Sequence, residues 1–329
     1  MVKRLPNPFL TGPVLDRPAT LKFMGDWGGA NIHAICGWLA MEFWDRAPFE
    51  AKTEIHNGRG AKDGIRALAR RAVDVAIVTP SEFAEMARRG IGPFAGEPHP
   101  WLRALGRIPQ DDRLVFAIDA ALGLKSFADL RERTPSLKIA TCPDDGENWI
   151  GWAAVEALRR SGIPPETFQG WGCEVVIAER PHDCARLVLE GRADAILHEG
   201  ISGPWWPQLE AARPLAYIPF EPDVRAAARE ELGWTSDPMP EGLFPVAPDF
   251  ETLNFDDFTI LVRDDLADDV VDVLAWCIIE TRANLERKYL HLPSARSPIC
   301  HPMQPREMID TLVPLHDAAA RRYRAMNLL

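Results

Sequence analysis

The sequence predicts an α/β protein of two domains. Three observations predict it. Short apolar runs alternate with stretches of helical periodicity over residues 20–89, and the pattern recurs over 137–197. Each series opens on a strand, a tight turn and a helix. After residue 258 the chain is helical apart from one extended run. That C-terminal segment has no third sheet of its own, so it must cover a sheet already built, most simply the first.

Residues 1–19 are Pro-rich and irregular, an arm on the surface. Leu21 to Met24 reads as a strand that enters the glycine turn Gly25, Gly28, Gly29. A helix then starts near Asn31, with Ile32, Ile35, Cys36, Leu39 and Phe43 at helical spacing. Asn31 suits an N-cap, and the free N–H groups beyond it make a seat for an anion such as a carboxylate. Ala51 to His56 is a strand, Asn57 to Gly60 a turn, and 61–71 a helix with Ile65 and Leu68 on its apolar face. Val73 to Val78 is a continuous apolar run of the kind buried on both faces of a parallel sheet. Thr79, Pro80 and Ser81 lead from it into a helix.

A Gly/Pro loop at 90–100 separates this series from strands at 102–106 and 114–118. Ser126 caps a short helix, and Leu137 restarts the pattern. The second strand, turn and helix follow, with Thr141 to Asn148 as the turn and Trp149 to Arg160 as the helix. This turn is a second candidate anion seat. A strand at 173–178, a helix at 182–190 and a strand at 193–197 complete the second unit, with His198 just past the last strand. There, at strand ends, open α/β sheets bind ligands. Residues 204–255 are rich in Pro, Trp and Phe. A strand at 258–262, a long helix at 268–288 and a helical stretch at 305–326 broken at Pro314 end the chain. The expected domains are therefore 20–115 with 259–329, and 116–258, with a cleft between them as the ligand site.

Composition limits the function. The chain has 329 residues, 47% of them hydrophobic and 26% charged, the balance of an ordinary globular protein. A net charge of −11 argues against nucleic acid as partner. The six cysteines show no CxxC pair, and no HExxH or His/Cys cluster is visible in the sequence, so free thiols and no metal or cofactor are expected. Met1 as the true start would make the protein cytoplasmic, because no secretory signal follows it; removal of a leader would make it periplasmic.

Read in order, Gly25 to His33, GRGAKDGIRALARRAVDVAIVT (58–79), Leu114 to Glu147 with LGLKSFADLRERTPSLKIATCPDDGE, Leu189 to Ala195, Pro240 to Phe244, Val313 to Asp317 and Arg322 to Arg324 resemble segments of the TAXI-type solute receptors of TRAP transporters. The resemblance covers about residues 20–326. It implies a two-domain type II periplasmic-binding-protein-like fold that closes on a small organic acid, and, in an exported protein, TRAP membrane subunits as partners. The binding positions it implies are Gly28, Gly29, Asn31, Thr79, Ser81, Asp144, Gly146, Glu147, Asn148 and the region after His198. The chain departs from the family in its acidic second turn, where Asp144, Asp145 and Glu147 oppose an anionic ligand, and in Asp26-Trp27.

Three further readings come from residue chemistry. Arg59 suits a bidentate pair with a substrate carboxylate. Trp27, Trp149 and Trp205, among eleven tryptophans, are placed to line a cleft for a flat or aromatic ligand. Asp26, His33, His56, Asp144, Glu147 and His198 are the candidate acids and bases if the fold instead serves as a cytoplasmic, cofactor-independent lyase or hydrolase of an aromatic acid. Cys36 reads as a buried core thiol, and Cys142 as the more exposed thiol, its pKa lowered by a helix N-terminus.

Overall fold

The computed structural model describes residues 10–26, 30–200, 205–293 and 296–329. The chain divides into two compact units, one built from the chain up to Gln110 together with Asp257–Leu329, the other from Asp111–Asp256. Among the described residues no helix is long and apolar enough to cross a membrane.

The first unit contains strands β1 (Thr20–Met24), β2 (Lys52–His56), β3 (Val75–Val78) and β4 (Leu102–Ile108) and helices α1 (Asn31–Asp45), α2 (Ala61–Ala69) and α3 (Ser81–Arg89). After the second unit the chain returns as β12 (Phe258–Arg263), α10 (Asp268–Glu280), α11 (Arg282–Glu286), α12 (Pro305–Met308) and α13 (Asp317–Ala325). The sheet order is β2-β1-β3-β12-β4. β1 runs parallel to β2 and β3, whereas β12 is antiparallel to β3 and β4. All four residues of β3 and all six of β12 are buried, as central strands covered on both faces require.

The C-terminal helices cover this first sheet. α10 packs on α1, α13 and β4. The pairing of β12 with β4 skips Leu105 at a bulge, and such a residue loses its ladder partner. The buried Tyr323 hydroxyl of α13 donates to that Leu105 carbonyl. The expected helix over 268–288 is interrupted at Thr281, whose hydroxyl donates back to the Cys277 carbonyl at 2.8 Å and accepts from Trp38 Nε1 at 3.0 Å. A hydroxyl that bonds its own backbone competes with the helix ladder.

The second unit contains β5 (Leu114–Asp119), α4 (Phe127–Arg133), β6 (Lys138–Thr141), α5 (Trp149–Arg160), α6 (Pro165–Gly170), β7 (Glu174–Ile177), α7 (Pro181–Leu189), β8 (Ala195–Glu199), α8 (Trp205–Ala212), β9 (Leu215–Tyr217), α9 (Pro222–Leu232), β10 (Ser236–Pro238) and β11 (Glu251–Leu253). Its main sheet has the order β7-β6-β8-β5-β9, with β6 parallel to β7 and β8, and β5 antiparallel to β8 and β9. The two five-stranded sheets thus share one plan: three parallel strands with the first in the middle, then two strands that alternate in direction.

Candidate functional site: the switch points of two sheets

In each sheet the chain leaves the first parallel strand to one side and returns to the other. β1 leads through α1 to β2, and α2 carries the chain back across to β3 on the opposite side of β1. β6, β7 and β8 repeat this arrangement. The point where strand order reverses leaves a crevice at the carboxyl ends of the strands. The two switch points are therefore β1/β3 and β6/β8, and most of the sequence-predicted residues fall at one or the other.

At the first, Asp26 follows β1 and is 2% exposed. Thr79 and Ser81 follow β3, both buried. Ser81 Oγ accepts from the Thr259 hydroxyl at 3.1 Å. Asn31 is the first residue of α1, not its cap: Ala30 occupies the cap position and makes no side-chain cap bond. The Asn31 Oδ1 atom instead accepts from the phenol of Tyr289 at 3.0 Å. Burial and the nearby Asp26 charge push that phenol up to about 12. α3 is likewise without a side-chain cap, since Pro80 precedes it. Two helices on adjacent strands thus enter without a bond from the side chain of the cap residue. His33 is half-buried, and among the described residues its Nδ1 has no hydrogen-bond partner. Cys36 is fully buried, and burial with the Asp26 charge pushes its thiol far up, as a core cysteine requires.

The second switch point is built differently. Asn148 caps α5, its Oδ1 accepting from Ile150 N at 3.0 Å and Gly151 N at 3.4 Å. Asp145 Oδ1 accepts from the backbone N–H of Glu147 and Asn148. The donors expected to be open for an anion are thus partly taken by the turn's own side chains. Asp144 is exposed, Glu147 half-buried and Trp149 buried. Gly146 has φ +84°, a conformation that favours glycine. Gly151 allows the turn to lie on the helix: a Cβ there would stand 2.6 Å from Asp144 N and closer still to the Pro143 carbonyl.

Cys142, expected to be exposed, is 1% exposed. β6 and β8 are neighbours, tied by the Thr141 hydroxyl to the Leu197 carbonyl at 2.8 Å. Cys142, just past β6, therefore meets His198 of β8, with Sγ 3.5 Å from Nε2. α7, which packs on both strands, adds Cys184. The three donor atoms lie within 4.8 Å of one another, and all three residues are buried. Sequence reasoning missed this cluster, because its members come from three separate elements with no motif spacing. Cys142 Sγ donates to the Glu179 carbonyl at 3.8 Å, and its interaction with Cys184 together with burial holds its thiol well above the usual range. The Cys184 thiol is lowered to about 5 by the Cys142 bond, against burial, and by His198. Burial alone would lower His198, but Cys184 and Glu199 raise it. Contrary to expectation, the Cys142 thiol is raised, rather than lowered by a helix N-terminus.

The remaining candidates are scattered. His56 ends β2 on the surface beside Glu54 at 3.3 Å. Arg59 precedes α2, with its backbone N–H on Asp63. Trp205 is the half-buried first residue of α8. Trp27, Gly28 and Gly29 lie outside the described residues. The candidate acids and bases belong to both units: Asp26, His33 and His56 to the first, Asp144, Glu147 and His198 to the second.

A family model described as the NMT1-like family matches residues 41–326. The chain belongs to the NMT1-like family. The matched span takes in all of the second unit and, in the first, begins within α1. In fold, the chain is similar to PhnD1 from Prochlorococcus marinus (MIT 9301) in complex with methylphosphonate, at 12% identity and a TM-score of 0.52, covering 95% of this chain and 100% of that one. It is similar to the same degree to a protein described as a periplasmic transporter, at 13% identity and a TM-score of 0.52, covering 94% and 96% of the two chains. These likenesses show the periplasmic-binding-protein-like fold. A search of the curated proteins finds no match.

Proposed function

We propose that this member of the NMT1-like family is a solute-binding protein of the TAXI type, taking a small organic acid whose carboxylate sits at the β1/β3 switch point. The observation that carries this reading is the donor set there. α1 and α3 enter from adjacent parallel strands without side-chain caps. Hydroxyls and an amide lie there at Ser81, Thr259, Asn31 and Tyr289, with Asp26 as the one carboxyl among these residues. First-turn N–H groups and the helix dipole favour an anion at that point. The fold shared with a protein crystallised with methylphosphonate, and with one described as a periplasmic transporter, supports a transport role in the periplasm. TRAP membrane subunits are then the partner.

The test is NMR and calorimetry of the purified chain against a panel of aliphatic and aromatic carboxylic acids, followed over hours. Binding with every ligand chemically unchanged is expected. Ser81→Asp and Asn31→Asp each place a carboxylate in the seat, and each should weaken binding at least about tenfold, or about 1.4 kcal/mol. Unchanged affinity in both variants removes the carboxylate from this switch point. Conversion of a ligand to a new product replaces the receptor by an enzyme.

A further inference from the structure

We propose that Cys142, Cys184 and His198 form a binding site for one closed-shell thiophilic cation, Zn²⁺ or Cu⁺. The proposal goes beyond the solute-binding reading and does not depend on it.

The donor set is complete in kind. Two sulfurs and an imidazole nitrogen stand within 4.8 Å of one another, and Cys142, Cys184 and His198 are 1%, 0% and 1% exposed. The cluster itself holds no carboxylate oxygen, so hard cations such as Ca²⁺ and Mg²⁺ find none of their preferred ligands in it. Thiolate and imidazole together select Zn²⁺ and Cu⁺ among biological cations.

The spacing also fits one ion. Zinc–sulfur and zinc–nitrogen bonds of about 2.3 and about 2.0 Å, at a tetrahedral angle, separate S from N by about 3.6 Å. The Cys142 Sγ to His198 Nε2 distance is 3.5 Å. The separation therefore already matches one edge of a coordination sphere, and the β6–β8 pairing holds it in place. Two thiolates and a neutral imidazole cancel a divalent charge, which removes the cost of burying a bare ion. Three protein donors leave Zn²⁺ one further position, whereas Cu⁺ is satisfied by three.

A second observation comes from the surroundings. Asn148 is 2% exposed, and its Nδ2 has no partner in hydrogen-bond geometry among the described residues. The Asn148 side chain lies beside Cys142. A metal-bound Cys142 thiolate is the acceptor that the amide lacks, and such outer donors hold metal ligands in orientation. The Asn148 backbone is fixed as the cap of α5, so the amide is in place before any ion arrives.

The test uses the full chain, purified with reductant and stripped by chelator. It is titrated separately with Zn²⁺ against a chromophoric indicator and with Cu⁺ against bicinchoninate. One equivalent of at least one of the two cations should bind per chain, with a Kd below about 1 µM. Cys184→Ser should weaken that binding at least about a hundredfold. Cys300→Ser, outside the cluster, should leave it unchanged. X-ray absorption on the loaded wild-type chain should show sulfur and nitrogen neighbours, which decides the matter if the serine variants fail to fold. Several outcomes overturn the proposal: no stoichiometric binding of either cation, binding that survives Cys142→Ser and Cys184→Ser, an oxygen-only coordination shell, or a Cys142–Cys184 disulfide in freshly purified protein that excludes metal.

Discussion

The same substitution, glycine to alanine inside a helix, should have opposite effects at two places in this chain. Gly37 lies in the middle of α1, and a Cβ added there meets nothing within 4 Å. Alanine should therefore stabilise by the difference in helix propensity and unfolded-chain entropy, about 0.5–1 kcal/mol. Gly151 lies in the first turn of α5, where a Cβ would stand 2.6 Å from Asp144 N and closer to Pro143 O and C. All three neighbours are backbone atoms, so no rotamer change relieves the contact. An ordinary separation of about 3.4 Å requires the turn over 143–144 to move outward by about 1 Å or more. Overpacking of this kind costs about 1–3 kcal/mol, which exceeds the propensity gain. The net expectation is destabilisation by up to about 2 kcal/mol. Thermal unfolding reads both, at about 2–4 °C per kcal/mol for domains of this size. Gly151→Ala should also shift the environment of Cys142 and Asn148, which bracket the displaced turn, in an NMR spectrum. Equal signs for the two substitutions, or a Gly151→Ala variant as stable as wild type, would refute the packing of the turn on the helix.

Two further tests address buried polar groups. Burial, with the like charge of Glu199, pushes the Asp112 carboxyl well above the usual carboxylate range, against the Arg113 N–H and charge that favour its ionised form. The folded chain then holds this proton where the unfolded chain has lost it, so stability should fall as pH rises from about 4 toward the raised value, by up to about 1.4 kcal/mol per pH unit, and be flat above it. Urea midpoints across pH should show a shallower fall for Asp112→Asn than for wild type, and parallel curves would contradict the assignment. Tyr323→Phe deletes the only donor described here for the bulged Leu105 carbonyl, and should cost about 1–3 kcal/mol in urea unfolding; a neutral change would mean water replaces the phenol freely.

Local chemistry made much of the fold legible. VAIV of β3 is a buried parallel strand because it has no polar alternation, and α5 runs from Trp149 to Arg160 as expected because Asn148 caps it and paired arginines end it. Tertiary partners decided what was misread. Asn31 looks like a cap, but Tyr289, 258 residues away, takes its carbonyl oxygen and leaves Ala30 in the cap position. The apolar period of α10 continues past Thr281, yet the hydroxyl bond to Cys277 and the indole of Trp38 end the helix there. The site shows the same division. Positions at strand ends follow from strand order, so Asp26, Ser81, Asn148 and His198 were readable. Cys184 was not, because on α7 it differs in no way from a core residue until the β6–β8 pairing brings it against His198.

The two sheets share a plan but not a chemistry. At β1/β3 the helices enter without side-chain caps among hydroxyls and an amide, donors that suit an anion and that the buried Asp26 carboxyl opposes. At β6/β8 the helix is capped by Asn148, the turn carries Asp144, Asp145 and Glu147, and two thiols and an imidazole converge. An anion gains less at the second switch point, since its N–H groups are partly occupied and three carboxyl groups, against Asp26 at the first, repel it; a cation gains correspondingly more. The two assignments can therefore be separated by crossed variants. Ser81→Asp should lower carboxylate affinity while leaving the cation titration unchanged. Cys184→Ser should abolish tight cation binding while leaving the Ser81 contribution to carboxylate affinity in place. If one substitution abolished both, the assignment of separate anion and cation sites to the two sheets would be wrong, and a single shared site would have to replace it.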